Sequence, residues 1–278
     1  MINRILYIPV ISHIYMMLLV SVVLLSCTES ITVKLEGVNP EIVVEASLPE
    51  SAFASVKLTK TVDFNVLNEF PGVSGAMVKL KDANGVTEML TEIAPGHYVS
   101  TVMKGVSGLK YELTIEKDEM LIYAEDLMPK PVKINSVRVR ELEIPNGPIV
   151  DNIVDSPRLE VIVNYTDPEN EVNFYRFIEF VNGEQVNYFL SDDRFNNGKT
   201  VKYFLLDFQR RMNTGDTLVI EMQSLSKPVY NYLYGFSILN TLPQGTTPSN
   251  PVTNINGAEL GYFSAYTLHR DTVIIPEF

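Results

Sequence analysis

The chain has 278 residues, with 22 Lys and Arg against 34 Asp and Glu, a formal net charge of −12, 46% hydrophobic residues, one cysteine and no tryptophan. That length suits one large core or two smaller ones, and one cysteine excludes an intramolecular disulfide or a multi-cysteine zinc site. The acidic balance lacks the basic footprint that nucleic-acid binding requires, so no nucleic-acid partner is expected.

Residues 1–26 read as a secretory signal. Arg4 supplies a positive charge, and Ile5 to Leu25 then contain no Asp, Glu, Lys or Arg. The apolar run Met16–Leu25 ends at Ser26, the small residue expected at a signal boundary. Leu24-Leu25-Ser26-Cys27 resembles a bacterial lipobox, although Leu25 stands where a small residue is usual. The resemblance implies that Cys27 is lipidated, with palmitate-type chains, and becomes the new N-terminus. Each buried acyl CH₂ contributes about 0.8 kcal/mol, so two or three chains anchor a domain durably. An uncleaved membrane span over residues 5–25 and a free thiol at Cys27 are the competing readings. Loss of Arg4 with the signal shifts the net charge to −13. Residues 27–40 form a tether, in which Glu29 is a weak form of the acidic signal seen in surface lipoproteins.

From Glu41 onward, short apolar alternation is punctuated by turn residues, the pattern of β-sandwiches. Val56 and Leu58 alternate with Lys57 and Thr59, and Val78 and Leu80 with Lys79 and Lys81. Asp82-Ala83-Asn84-Gly85 predicts a hairpin turn. Strands at His97–Met103 and Lys110–Lys117 complete a first immunoglobulin-like domain over residues 41–128. Pro129-Lys130-Pro131 reads as a stiff link. A second sandwich, residues 129–278, follows with strands around Val137, at Leu159–Tyr165, Phe174–Val181, Val201–Phe208 and Leu218–Ser224, then Gly261–Leu268 and Thr272–Ile275. Its one substantial helix is predicted at 227–242, where Ser226-Lys227-Pro228 marks a start and Tyr230, Leu233, Tyr234 and Ile238 recur at helical spacing. The expected fold is mainly β, two tandem immunoglobulin-like sandwiches with a helix on the second.

The ordered set Ile42-Val43-Val44-Glu45, Val73-Ser74-Gly75-Ala76, Pro95-Gly96-His97-Tyr98 and Gly108-Leu109-Lys110-Tyr111 resembles the prealbumin-like or carboxypeptidase-regulatory-like sandwich. With Asp167-Pro168, Phe174-Tyr175-Arg176, the Ser226–Leu233 helix start and Asn254-Ile255…Gly261-Tyr262-Phe263, the chain resembles Bacteroidota lipoproteins of domain of unknown function 4249. Glu259 replaces a glycine usual in that closing run. The resemblance implies an outer-membrane lipoprotein, often encoded beside a TonB-dependent transporter, and supplies no catalytic residues.

Chemistry-bearing patterns are sparse. His97 and His269 are far apart, and no Gly-x-Ser-x-Gly elbow or phosphate loop occurs. Asp167, Glu169 and Glu171 could supply hard oxygen ligands to Ca²⁺, but solvated turns are the simpler reading for them and for Asp192-Asp193. No cofactor is expected. The aromatic residues are the best hint of binding: Tyr230, Tyr234, Tyr262 and Phe263 are the candidate surface, against the simpler reading that such rings pin the helix to its sheet. The expected function is a non-catalytic binding or accessory role at the outer membrane. A surface adhesin and a hydrolase with an unrecognised site are the alternatives.

Overall fold

The computed structural model describes residues 39–63, 70–141, 159–207, 212–239, 247 and 249–278. The signal segment, Cys27 and most of the tether lie outside the described residues.

The first part of the chain forms β1 (Ile42–Pro49), β2 (Phe53–Lys60), β3 (Met77–Asp82), β4 (Thr87–Met89), β5 (Thr91–Ala94), β6 (His97–Lys104), β7 (Lys110–Lys117) and β8 (Met120–Leu127). The alternation of small and branched apolar residues puts Val44, Ala46, Leu48, Val56, Leu58, Val78, Leu80, Leu113 and Ile115 in one core. The predicted hairpin closes β3 on β4. Asp82 accepts hydrogen bonds at Oδ1 from the amides of Asn84 and Val86 (3.0 and 2.9 Å), and Gly85 has φ 87°.

Beyond the Pro129–Pro131 link come β9 (Ile134–Glu141), β10 (Leu159–Thr166), β11 (Phe174–Val181), β12 (Glu184–Asp192), β13 (Thr200–Leu205), β14 (Thr217–Leu225), helix α1 (Lys227–Leu239), β15 (Ile255–Asn256) and β16 (Leu260–Ile274). A second core gathers Val161, Val163, Tyr165, Tyr175, Phe177, Leu218, Ile220 and Met222. The helix begins where its sequence signals place it; the predicted stretch past Leu239 lies outside the described residues. Strand β12 is an addition to the elements expected from the sequence.

Three sheets result, with orders β12-β11-β14-β16-β1-β2-β6-β5, β15-β8-β7-β3-β4 and β13-β10-β9. The two smaller sheets each close a sandwich against the eight-stranded one. The two predicted terminal strands are one, the 15-residue β16, and it belongs to both sandwiches. Its first half pairs parallel with β1, from Val43↔Leu260 to Pro49↔Tyr266. Its second half pairs antiparallel with β14, from Ser224↔Thr267 to Thr217↔Ile274. A boundary at residues 128/129 therefore describes the outward crossing of the chain, while β15 and the first half of β16 return to the first sandwich.

Alternation along β16 shows how the layers stack. Phe263 and Ala265 enter the first core. Farther along the same face, His269 Nδ1 accepts from the Ile134 amide (3.3 Å) and Asp271 Oδ2 from the Val137 amide (3.1 Å), both on β9. Tyr262 and Tyr266 point to the opposite face and pack on the cluster around α1. Both small sheets thus cover one face of the long sheet, and the helix lies on the other.

Candidate functional site

The outer face of β12-β11-β14-β16 carries the helix and a paired polar floor. Cross-strand register aligns Leu190, Arg176 and Gln223, and beside them Tyr188, Ile178, Glu221 and Arg270. Arg176 Nε donates to Gln223 Oε1 (2.8 Å), Gln223 Nε2 donates to Glu221, and Arg270 donates to Glu221 Oε2 through Nε (2.7 Å) and pairs with it through Nη2 (2.6 Å). Glu221 and Gln223 are buried. A chain of bonds that joins both guanidinium groups to these two side chains offsets the cost of removing them from water.

Helix α1 sits on this floor through Val229, Tyr230 and Leu233, which pack with Leu225, Phe174 and Leu190. The helical periodicity read from the sequence splits here: Tyr230 and Leu233 are buried, whereas Tyr234 and Ile238 are exposed, by 49% and 39%. Tyr230 is tightly held. Its ring lies 4.9 Å from that of Phe174 and its hydroxyl donates to Asp192 Oδ2 at 3.3 Å. Burial, then the charge and hydrogen bond of Asp192, push the Tyr230 hydroxyl up to about 12. Asp192 in turn receives Arg194 Nε at 2.9 Å on both oxygens.

The four aromatic candidates thus divide. Tyr230 and Tyr234 come together, ring centroids 5.9 Å apart and nearly parallel at 12°. Tyr262 is half-buried on the other flank of the helix, 5.2 Å from the Tyr232 ring. Phe263 points the opposite way, into the first core, and is 1% exposed. Among the four, Tyr234 is the ring available to a ligand.

Two grooves meet at Tyr234. One, about 540 Å³, runs between α1 and the 249–252 segment and includes Asn231, Gly235, Ile238, Asn250 and Pro251. The other, about 320 Å³, lies between α1 and the β12 edge and is lined by Asn187, Tyr188, Leu190, Tyr234 and Ser237. Gly235 allows the first groove its narrow floor, since a Cβ there would stand 3.1 Å from Pro251 Cβ. The helix spacing i, i+4 that joins Asn231 to Gly235 and Tyr234 to Ile238 is legible in the sequence. The β12 contribution is not.

A third concavity, about 550 Å³, lies between the sandwiches and is lined by Leu127–Lys130, Glu171–Phe174 and Ser224–Lys227, with Gly108. Beside it, Asp126 on β8 is 4% exposed. Its Oδ2 accepts from the Ala265 amide of β16 at 2.7 Å. Burial is the largest influence and pushes its carboxyl up to about 7, against the Ser226 hydroxyl and the Ala265 and Leu127 amides, which favour the charge.

In the acidic turns the solvated reading holds for Glu169, which is exposed, and fails for two of the aspartates. Asp167 and Asp193 are buried. Tyr175 donates to Asp167 Oδ1 (2.5 Å) and the Gly198 amide to Oδ2 (3.2 Å), while Asp193 Oδ2 accepts from the Asn173 amide (2.9 Å). Glu171 pairs with Lys130. Among the described residues no group of three His, Cys, Asp or Glu side chains converges on a metal position. His97 Nε2 lies 2.9 Å from Ser55 Oγ, within the first sandwich's sheet.

Comparison with known proteins gives one family. The model described as "Domain of unknown function (DUF4249)" matches residues 28–272. No curated protein matches the chain. A solved two-domain fibronectin type-III segment from chicken tenascin is similar over 67% of this chain and 91% of that one, at 13% identity and a TM-score of 0.22. At that score the sheet pairing itself remains the description of the fold.

Proposed function

From a chain that belongs to the DUF4249 family, we propose a lipid-anchored outer-membrane protein with a non-catalytic binding or accessory role beside a TonB-dependent transporter. Cys27 carries the anchor, and the outer face of α1 is the contact surface. The observation that carries the binding half is the group of exposed apolar side chains along one side of the helix: Tyr234, Ile238 and, on the facing segment, Val252. Stable cores seldom leave such side chains clustered without use. The basic, apolar and small-residue order ending at Cys27 supports the anchor.

Acyl labelling of the native protein and of Cys27→Ala tests the anchor. Wild type should take up labelled palmitate and sediment with membranes, and the variant should do neither. Co-purification from detergent-solubilised membranes tests the partnership. Recovery of a TonB-dependent transporter with wild type, reduced by Tyr234→Ala and Ile238→Ala together, is expected. Equal uptake of label by Cys27→Ala, or no transporter under native expression, would sink the corresponding half.

A further inference from the structure

We propose that the paired grooves sharing Tyr234 bind a neutral, hydroxyl-rich ligand, a short uncharged oligosaccharide, with the Tyr234 ring as its stacking platform. This rests on the reading of the protein as a binding component and names its ligand class.

The first argument is charge. The chain is strongly acidic, with a formal net charge of −12, yet among the described residues no Asp, Glu, Lys or Arg lines either groove. The guanidinium groups beside the grooves are already engaged: Arg194 is held on both oxygens of Asp192, and Arg176, beside Leu190 across the strands, donates to Gln223 Oε1. A charged ligand would therefore lose its hydration without a charged side chain lining the grooves to replace it. A neutral one is not penalised in this way.

The second argument is hydrogen-bonding character. Asn231, Asn250, Tyr188, Tyr234 and Ser237, whose hydroxyl donates to the Tyr234 carbonyl at 2.8 Å, line the grooves together with the apolar residues Ile238, Pro251 and Leu190. Amide and hydroxyl groups both donate and accept, as sugar hydroxyls do. A lining that mixes apolar and two-way polar residues matches a pyranose, whose C–H face is apolar and whose rim is hydroxylated. A run of prolines, the other neutral ligand of aromatic grooves, offers backbone carbonyl acceptors and no backbone N–H, and would leave the acceptor side of these groups unused.

The third argument is preorganisation. Tyr234 is stacked on Tyr230, which Phe174 and Asp192 fix from the sheet side. Asn187, at the β12 rim, donates to Asp207 (3.0 Å) and accepts from the Tyr188 amide (2.8 Å). Gly235 brings Pro251 against the helix. A platform whose ring is already fixed loses little freedom on binding, and volumes of about 540 and 320 Å³ fall in the range of small-ligand sites.

Isothermal titration of the purified full-length protein in detergent tests this, independently of its anchoring or any transporter. The probes are neutral hexasaccharides of glucose, xylose and mannose, an acidic galacturonate hexamer and a hexaproline peptide. At least one neutral hexasaccharide should bind, while the acidic hexamer and the peptide do not. Tyr234→Ala should weaken binding about tenfold or more, and Tyr234→Phe should stay within about threefold. Phe195→Ala, at an exposed ring outside the grooves, should leave affinity unchanged, and an unchanged urea midpoint will show that each variant is folded. Binding of the acidic hexamer or the peptide alone, binding of none of the probes, or neutral binding indifferent to Tyr234→Ala would overturn the proposal.

Discussion

Replacing Asp126 by asparagine should make the protein more stable at alkaline pH, although it removes a charged, hydrogen-bonded side chain. Asp126 is buried, and its carboxyl is raised from the ordinary 3.8 to about 7. The folded protein therefore binds a proton at this site more tightly than the unfolded chain does. Its destabilising contribution is absent below about pH 4, grows as pH rises between the two values, and is complete above about 7. Three pK units correspond to about 4 kcal/mol as the upper limit. The carboxamide introduced by Asp126→Asn would preserve the acceptor for the Ala265 amide, now 2.7 Å from Asp126 Oδ2. Allowing for relaxation and for the burial of the new amide, a gain of about 2 kcal/mol at pH 8 is expected, shrinking to nothing or a slight loss at pH 4. Urea unfolding of both proteins between pH 4 and 8 reads this directly as a difference that widens with pH. Asp126→Ala is the contrast: it strands the Ala265 amide and should be less stable than Asp126→Asn at every pH. Parallel pH profiles for wild type and Asp126→Asn, or lower stability of Asp126→Asn at pH 8, would refute the argument.

Gly261 has φ 106°, and a Cβ there would fall 1.9 Å from the Val44 carbonyl oxygen; Gly261→Ala should cost about 3 kcal/mol or more in urea unfolding. Gly85→Ala, at a similar φ but with open space around it, should cost about 1 kcal/mol, so equal losses would show that backbone conformation alone decides. Phe263→Ala should cost about 3–5 kcal/mol, and because β16 serves both sandwiches, hydrogen exchange should show protection falling in β7 and β10 together; loss confined to β7 would mean that the halves unfold separately. Glu88 is raised somewhat by partial burial but held below its ordinary value by hydrogen bonds from the Thr101, Val102 and Met103 amides. Its contribution is present above the unfolded pKa and lost as pH falls through the folded one, so Glu88→Gln should narrow the stability difference between pH 7 and pH 3, opposite in sign to Asp126.

Much of the architecture is local and legible in the sequence. Alternation identifies the strands with one buried face, and Ser226-Lys227-Pro228 marks the helix start. Strand β12 escapes such a reading because Glu184–Asp192 is an edge with half-exposed side chains on both faces, so no period-two signal survives. The candidate rings are visible in sequence, but their directions are not. Tyr262 and Phe263 are adjacent and equally aromatic, and only pairing with β1 puts one on the helix side and the other in the first core.

The same physical reason explains why β16 reads as two strands. His269-Arg270-Asp271 interrupts the apolar pattern, and in sequence a polar triplet suggests a turn. In the fold each member has a partner across strands: His269 and Asp271 accept from β9 amides, and Arg270 pairs with Glu221. Polarity marks the place where a continuous strand leaves one sandwich and satisfies hydrogen bonds in the next. That continuity also accounts for the position of the candidate site. With both small sheets on one face of the long sheet, the opposite face near β16 would stand bare. Helix α1 covers part of it, and the margins of that incomplete cover are the grooves at Tyr234. The site is thus a consequence of one strand shared between two cores, a relation between chain ends that no local pattern encodes.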